Sequence, residues 1–174
     1  MNLDIKYLSD QIITESIYIN PSSLNVKSID SILITILKDK LGNKCHDIGY
    51  ILKSNIKFIN KSMGELIQQD NTTKILYNIR IKVWVINPII NSKLECYIDN
   101  INKMGIIAYI KMKDVDKNYD GQNNLKNSPV IIIVPNDDKV DINKYSIGDK
   151  ITININASRI KFNSNKIQLI GKII

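Results

Sequence analysis

The chain has 174 residues, which suffices for one large domain or two small ones. Its 44% hydrophobic content supports real cores, and no apolar run reaches the roughly 20 residues of a membrane-spanning helix. The N-terminus lacks a basic region followed by an apolar core, so we expect no signal peptide. A formal charge of +7 is compatible with a nucleic acid, an anionic membrane surface or an acidic protein partner, and does not choose among them.

The residue types that carry most covalent and metal chemistry are scarce. Cys45 and Cys96 lie far apart without a CxxC partner, and His46 is the only histidine, so the ligands of a zinc site are lacking. Free thiols fit a reducing compartment. Although Cys45 and His46 are neighbours, only Asp47 could orient the imidazole, and we interpret this segment as a loop without catalysis.

Acidic residues occur in two pairs, Asp114 with Asp116 and Asp137 with Asp138. We interpret both pairs as solvated turns rather than as a calcium or magnesium site. The sequence therefore predicts no catalytic residue, no metal and no cofactor.

The first predicted element is an extended segment over residues 3–21, ended by Pro21, which cannot donate to a strand ladder. A helix follows. Ser28 is suited to cap its N-terminus, Asp30 lies in its first turn, and Gly42 is suited to end it in a left-handed conformation. The apolar stripe of the helix consists of Ile29, Leu33, Ile36, Leu37 and Leu41.

Strands and turns come next. Gly49-Tyr50-Ile51 opens a second strand, which continues at residues 56–59, and residues 60–73 are interpreted as a loop or hairpin tip. A long strand is predicted over residues 75–85, because apolar side chains there occupy every second position, as in a half-buried antiparallel strand. It ends at Asn87-Pro88.

Beyond Pro88 the pattern predicts strands only. Residues 114–128 are rich in turn-forming residues and are interpreted as a mobile excursion. The apolar parity shifts after Ile155, which predicts a β-bulge near Ser158-Arg159. Five strands with one long polar excursion suit a small Greek-key barrel of the OB type. These strands are predicted over residues 94–101, 106–112, 130–134, 151–157 and 167–174.

The order of these elements resembles the larger stalk subunit of cellular RNA polymerases, the family that includes the seventh subunit of eukaryotic polymerase II and its archaeal counterpart. The resemblance covers almost the whole chain. The residues that carry it are Gly42 after the helix, Gly49-Tyr50-Ile51, Gly64 in the next hairpin, Asn87-Pro88 and Gly105 in the first barrel turn. The chain departs from the family at the start of the barrel, where Asn91-Ser92 and Cys96 replace the usual Gly-Glu and a later glycine.

The resemblance implies an α+β protein of two domains. Residues 1–87 would form a truncated RNP-like α/β domain that docks on the polymerase core, at the largest subunit and the base of the clamp. Residues 88–174 would form an OB-fold barrel that contacts nascent single-stranded RNA, and a smaller stalk subunit would bind along the junction. The docking tip would be shaped by Gly49, Tyr50, Ile51, Gly64, Glu65 and Leu66. For Tyr50 and Ile51, packing in the core is the alternative interpretation.

The outer face of the predicted barrel carries candidate RNA contacts. Tyr97 and Tyr109 would stack on bases while Lys111 and Lys113 neutralise phosphates. The alternative is an ordinary solvated strand face, on which tyrosine and lysine are common. Arg159 and Lys161 near the predicted bulge would extend the same track; the alternative interpretation is that both are cations that simply face the solvent. The full candidate set is Tyr97, Lys103, Tyr109, Lys111, Lys113, Arg159 and Lys161.

The divergence from the family, with a composition dominated by Ile, Asn and Lys, indicates a subunit encoded by a large DNA virus. Such a protein would act at the viral factory in the host cytoplasm and enter the virion, whereas a cellular version would act in the nucleus; no membrane contact is expected. The alternative function is that of a free-standing single-stranded RNA-binding OB-fold protein, which needs no docking domain. An enzyme that uses the barrel to hold nucleic acid lacks a nucleophilic lysine motif or a carboxylate cluster.

Overall fold

The computed structural model describes residues 7–25, 28–69, 71–136 and 144–174, and the chain forms two compact units. The N-terminal unit comprises Ser9–Asn43 and Ile51–Val85. The barrel unit comprises Met1–Leu8, Lys44–Tyr50 and Ile86–Ile174. The predicted domain boundary between residues 87 and 88 stays a prediction; the two units also divide the chain on either side of residues 44–50.

The N-terminal unit begins with strand β1 (Leu8–Ile19), a short 3-10 helix (Pro21–Asn25) and helix α1 (Ile29–Leu41). Ser28 caps α1 as predicted, since its Oγ accepts from the Ser31 amide at 3.4 Å. The helix buries Leu33, Leu37 and Leu41 of the predicted stripe.

The predicted left-handed stop at Gly42 is wrong. Gly42 is extended, with φ −70° and ψ 138°, and Asn43 adopts the positive φ of 57° instead. Glycine is required at position 42 for a different reason: a Cβ there would lie 2.5 Å from the Lys38 carbonyl oxygen and 2.6 Å from Lys53 Cβ. The constraint is therefore a close approach of chain segments rather than backbone handedness.

The first sheet contains six strands, and those after β1 are β2 (Lys44–His46), β3 (Gly49–Ile51), β4 (Lys57–Lys61), β5 (Glu65–Gln69) and β6 (Thr72–Ile86). Their order is β1-β6-β3-β2, with β4 and β5 also paired to β6. The predicted long strand with apolar side chains at every second position is confirmed in β6, where Ile79, Ile81, Val83 and Val85 are buried. The segment predicted as a loop or hairpin tip contains β5, which pairs antiparallel with the start of β6.

The second sheet is a closed barrel of five strands, which are β7 (Lys93–Asn102), β8 (Gly105–Tyr109), β9 (Val130–Pro135), β10 (Lys150–Arg159) and β11 (Ile167–Ile173). Their order is β10-β11-β9-β8-β7; the β9–β11 pair is parallel and the other four pairs are antiparallel. Buried side chains at alternate strand positions fill the barrel interior, as a small barrel requires. The architecture is compatible with the predicted OB-type barrel, whereas the RNP-like character of the first domain stays a prediction.

Three details of the barrel differ from the sequence prediction. The strand predicted to reach residue 112 ends at Tyr109. The short helix α2 (Met112–Val115) follows it and contains Lys113, which had been predicted on the strand. The bulge falls between Ile155 and Ala157, ahead of the predicted site at Ser158-Arg159. The segment predicted as a mobile excursion buries Val115, Asp116 and Ser128.

The described part of the chain contains no helix whose length and apolar character would let it cross a bilayer.

Candidate nucleic-acid interface

The two tyrosines predicted to contact RNA are cross-strand partners on the outside of the barrel. Tyr97 of β7 pairs directly with Tyr109 of β8, because the antiparallel register brings these positions opposite each other. Their ring centroids are 6.3 Å apart with an interplanar angle of 40°. The Lys111 ammonium lies 3.5 Å from the Tyr97 ring centroid, in a cation–π contact. One face of Tyr97 is thus covered by a cation, and a base stacking there would have to displace it.

The hydroxyl group of Tyr109 is held by a hydrogen bond. Its hydroxyl donates to the Asn123 carbonyl oxygen at 3.2 Å, and the Asn123 side chain accepts from the Lys113 amide at 3.1 Å. Burial raises the pKa of Tyr109, and the nearby charges of Asp99 and Tyr97 add to the effect. The hydroxyl is therefore a proton donor at neutral pH, which keeps the segment around Asn123 attached to β8.

Two residues beside Tyr97 were missed by the sequence analysis. Lys150 of β10 is the direct cross-strand partner of Tyr97, and its ammonium lies 2.7 Å from the Glu95 carboxylate. The hydrogen bond to Glu95 raises the pKa of Lys150. Tyr7 also lies here: burial, followed by repulsion from Asp114 and Glu95, raises its pKa to about 12. Lys150 could have been found by assuming that the barrel closes between β7 and β10.

The barrel registers connect the two predicted parts of the RNA track. Starting from Tyr97, consecutive cross-strand partners are Tyr109, Ile131, Gln168 and Arg159. We call these five residues the cross-strand row. Four steps of about 4.8 Å between neighbouring strands make the row roughly 19 Å long over the curved surface. The residues predicted near the bulge therefore extend the tyrosine pair across the strands.

The two ends of the row differ in charge. Near Tyr97 the cations Lys111 and Lys150 are accompanied by the carboxylates Glu95 and Asp99. At the other end Arg159 and Lys161 line a pocket of about 180 Å³ with no carboxylate in its lining. Its other lining residues are Ser164, Lys166 and Gln168.

Two predicted RNA contacts lie outside the row. Lys103 is exposed in the turn between β7 and β8, and Lys113 is exposed on α2. Neither position is a cross-strand partner of a row residue. The structure thus brings together Tyr97, Tyr109, Lys111 and Arg159 along one surface, with Lys161 following Arg159, and leaves Lys103 and Lys113 beside it.

The predicted docking residues are split by their burial. Tyr50 is 5% exposed and Ile51 is fully buried, so their side chains pack in the core of the chain and offer no contact area, as the alternative interpretation had it. Gly49 has φ 130°, a backbone conformation that residues with a side chain rarely adopt, so glycine is favoured at this position.

The other docking residues lie where β4 leads into β5, two consecutive strands that both pair antiparallel with β6. A Cβ at Gly64 would lie 2.7 Å from Ile75 Cγ2 and 2.8 Å from Tyr77 Cζ, so a larger residue there would force these side chains to move. Glu65 and Leu66 are exposed, and Leu66 retains 73% of its surface. Met63, at 90%, was not predicted. Exposed apolar side chains that lie close together, as Met63 and Leu66 do in sequence, are typical of a protein-binding surface.

Cys45 and His46, the two neighbours considered for covalent chemistry, have different surroundings. Burial raises the pKa of the Cys45 thiol to about 11, so it stays protonated at neutral pH and is a poor nucleophile. His46 packs edge-to-face on Phe162, with ring centroids 5.6 Å apart. Asp137 and Asp138 lie outside the described residues.

The segment from Asp116 to Gly121 has the Asp-x-Asn-x-Asp-Gly spacing that begins a calcium-binding loop, which the sequence analysis missed. The twelfth position, where such a loop has glutamate, is Asn127. The Asp116 carboxylate accepts from the Asn118 amide at 3.1 Å. Across the described ranges, no three His, Cys, Asp or Glu side chains come together as metal ligands would.

Fold and surface together define an OB-like barrel with an aromatic and basic row on its outside, joined to a second unit of mixed α and β structure. No protein-family model matches the chain. The chain is similar to a candidate DNA-directed RNA polymerase subunit of Acanthamoeba polyphaga mimivirus, with 24% identity over 169 residues. That alignment covers 88% of this chain and 75% of the viral protein.

Proposed function

We propose that this chain is a non-catalytic stalk subunit of a DNA-dependent RNA polymerase. The similarity to a viral protein described as an RNA polymerase subunit supports the complex to which it belongs. The observation that carries the stalk role is the cross-strand row on a closed OB-like barrel, because OB-type barrels commonly bind single-stranded nucleic acid through aromatic and basic surface residues.

In this proposal the N-terminal domain docks on the polymerase core, and the exposed β4–β5 segment supplies contact area through Leu66 and Met63. The barrel contacts the emerging transcript through Tyr97, Tyr109, Lys111 and Arg159. Rings stack on bases and cations neutralise phosphates without any sequence preference. The protein would act where the viral polymerase acts, in the host cytoplasm and in the virion, with a smaller stalk subunit as a further partner.

Membership of the complex is tested by copurification. The tagged full-length chain should retain the large polymerase subunits from cells in which the polymerase is expressed. Leu66→Asp should release them, because a charge would be buried at the interface. The matched control is Gln68→Asp, on the same strand and also exposed. Retention that is equal in both variants would contradict docking through the β4–β5 segment.

RNA contact is tested with the pure chain. Lys111→Ala combined with Lys113→Ala should weaken binding of single-stranded RNA about tenfold and reduce the salt slope by about 1.4, since each of the two lost phosphate contacts removes about 0.7. The control is Lys53→Ala combined with Lys82→Ala, which removes two cations already paired with Asp39 and Asp10. An unchanged slope in the first variant would contradict the barrel-face assignment.

The second candidate is a free-standing single-stranded RNA-binding protein. The observation in its favour is that all residues of the cross-strand row belong to the barrel unit. Such a protein would bind RNA with the same salt dependence but would copurify with no polymerase subunit, so the copurification experiment separates the two functions.

A further inference from the structure

The strongest unassigned feature is the pocket at the basic end of the cross-strand row. Five polar side chains line about 180 Å³, and three of them are cationic. Arg159 ends β10, Lys161 lies in the following turn, and Lys166 immediately precedes β11. The pocket is therefore built by one hairpin, the β10–β11 hairpin.

This hairpin is held by several independent contacts. The Ser164 amide donates to the Lys161 carbonyl oxygen at 3.0 Å, and Asn163 has the positive φ of 64° that this turn requires. The backbone of Cys45 forms two hydrogen bonds with the hairpin, one from its amide to the Ser164 oxygen at 2.7 Å and one to its oxygen from the Asn163 amide at 2.9 Å. The pocket is thus preorganised, which lowers the entropic cost of binding.

Lys166 serves the pocket differently from the other two cations. Its ammonium donates to the carbonyl oxygens of Leu125, Lys126 and Ser128, so its three donors are used within the chain. It contributes charge and holds the segment before β9 in place.

Arg159 and Lys161 are the cations available to a ligand. No described residue forms a hydrogen bond or an ion pair with the Arg159 guanidinium or the Lys161 ammonium. Gln168, the cross-strand partner of Arg159, adds an exposed amide. An arginine fork matches phosphate oxygens in a bidentate manner, and a lysine adds a point charge.

We propose that this pocket binds an oligophosphate, that is, two or more linked phosphate groups, as at the triphosphorylated 5′ end of an RNA or in a free nucleotide. Three cations without a carboxylate exceed what a single phosphodiester charge needs, and they match a ligand of higher negative charge. The biological role of the pocket rests on the proposed function, whereas its affinity for oligophosphate does not.

The experiment compares two RNA oligomers of one sequence, one with a 5′-triphosphate and one with a 5′-hydroxyl, by fluorescence polarisation with the full-length chain. The triphosphate form should bind about tenfold tighter, as expected for one or two charge-assisted hydrogen bonds. Arg159→Gln combined with Lys161→Gln should abolish the difference. The control, Lys93→Gln combined with Lys117→Gln, removes the same charge from exposed positions outside the pocket. This control should still bind the triphosphate RNA more tightly than the hydroxyl RNA.

Competition separates the sources of the ligand. Displacement of the triphosphate RNA by inorganic pyrophosphate and by ATP supports a pocket for free oligophosphates, and resistance to both with a retained 5′ preference supports an RNA end. Equal affinities for the two RNAs, with no pyrophosphate binding by calorimetry, would overturn the pocket while leaving the proposed RNA contact intact. Pyrophosphate binding without any RNA binding would support the pocket and contradict the proposed function.

Discussion

The two units treat their charged side chains differently. In the described part of the N-terminal unit four lysines form ion pairs, Lys40 with Glu15, Lys53 with Asp39, Lys61 with Asp30 and Lys82 with Asp10. In the barrel unit Lys150 pairs with Glu95, whereas Arg159 and Lys161 lie in a pocket whose lining holds no carboxylate. The four lysines of the first unit are neutralised within that unit, whereas these two cations of the second are available to an anionic ligand. This contrast fits one unit that docks on protein and another that binds nucleic acid.

The substitution with the largest expected effect should destabilise the barrel and leave the stability of the N-terminal unit unchanged. Gly105 has φ 139°, and a Cβ there would lie 2.1 Å from the Val134 carbonyl oxygen. Gly105→Ala should lower the free energy of unfolding of the barrel by about 3 kcal/mol or more, because strand β9 must move. Trp84, the single tryptophan, lies in the N-terminal unit and should report an unchanged transition in urea.

Gly148→Ala is the matched control. This glycine also has a positive φ, 93°, but a Cβ there would meet nothing within 4 Å. The cost should be the backbone strain alone, about 1 kcal/mol. A Trp84 transition that shifts together with the barrel in Gly105→Ala would show that the units unfold as one.

Alkaline pH should also separate the units. Burial raises the pKa of Cys96 and Tyr50 to about 12 and that of Cys45 to about 11, from 9.0 for cysteine and 10.0 for tyrosine, and all three residues belong to the barrel unit. Their contribution to stability is complete below pH 9 and is lost as pH rises towards 11 and 12. The slope should approach about 1.4 kcal/mol per pH unit for each such group.

The measurement is urea unfolding between pH 8 and about pH 11, with circular dichroism for the whole chain and Trp84 fluorescence for the N-terminal unit. The barrel transition should shift to lower urea concentration while the Trp84 transition changes less. Equal shifts of both signals would contradict the assignment of the effect to the buried barrel groups.

Alternation and capping made much of the fold predictable. The period of β6, the cap at Ser28 and the five barrel strands follow from local pattern. The end of β8 was not predictable, because the apolar alternation of residues 106–112 continues past the end of the strand at Tyr109 into the start of α2. The sequence correctly indicated that the helix ends at Gly42, but the reason for glycine at this position was wrong. The sequence does not show that Lys53 packs against it.

The candidate site was predictable only where side chains share a hairpin. Tyr97 and Tyr109 lie on consecutive strands, so their pairing follows from one turn. Lys150 and the row through Ile131 and Gln168 depend on registers between strands distant in sequence, which no local pattern specifies. The burial of Tyr50 likewise depends on long-range packing.

A smaller effect on RNA binding is expected from substitutions of Tyr97, at the aromatic end of the cross-strand row. Tyr97→Ala should weaken single-stranded RNA binding by about 1–3 kcal/mol, the value of one base stacked on a ring. Tyr97→Phe keeps the ring and should bind as the parent protein does. Filter binding at fixed salt measures both, and equal loss in the two variants would assign the effect to the hydroxyl rather than to stacking.

The smallest effect concerns the charges of the N-terminal unit. Asp10→Asn removes the partner of Lys82, whose ammonium lies 2.8 Å from the carboxylate. Both groups are about half exposed, so the free energy of unfolding should fall by at most about 1 kcal/mol, and less in high salt. RNA affinity should not change in gel-shift titrations. A marked rise in RNA affinity would show that the paired lysines of this unit also reach RNA.

The most direct test is photocrosslinking of nascent RNA in a stalled transcription complex that contains this chain, followed by mass spectrometry of the crosslinked peptides. We expect crosslinks to peptides of the cross-strand row, above all those with Tyr97 and Tyr109. A complex that lacks the chain, or crosslinks confined to the N-terminal unit, would contradict it.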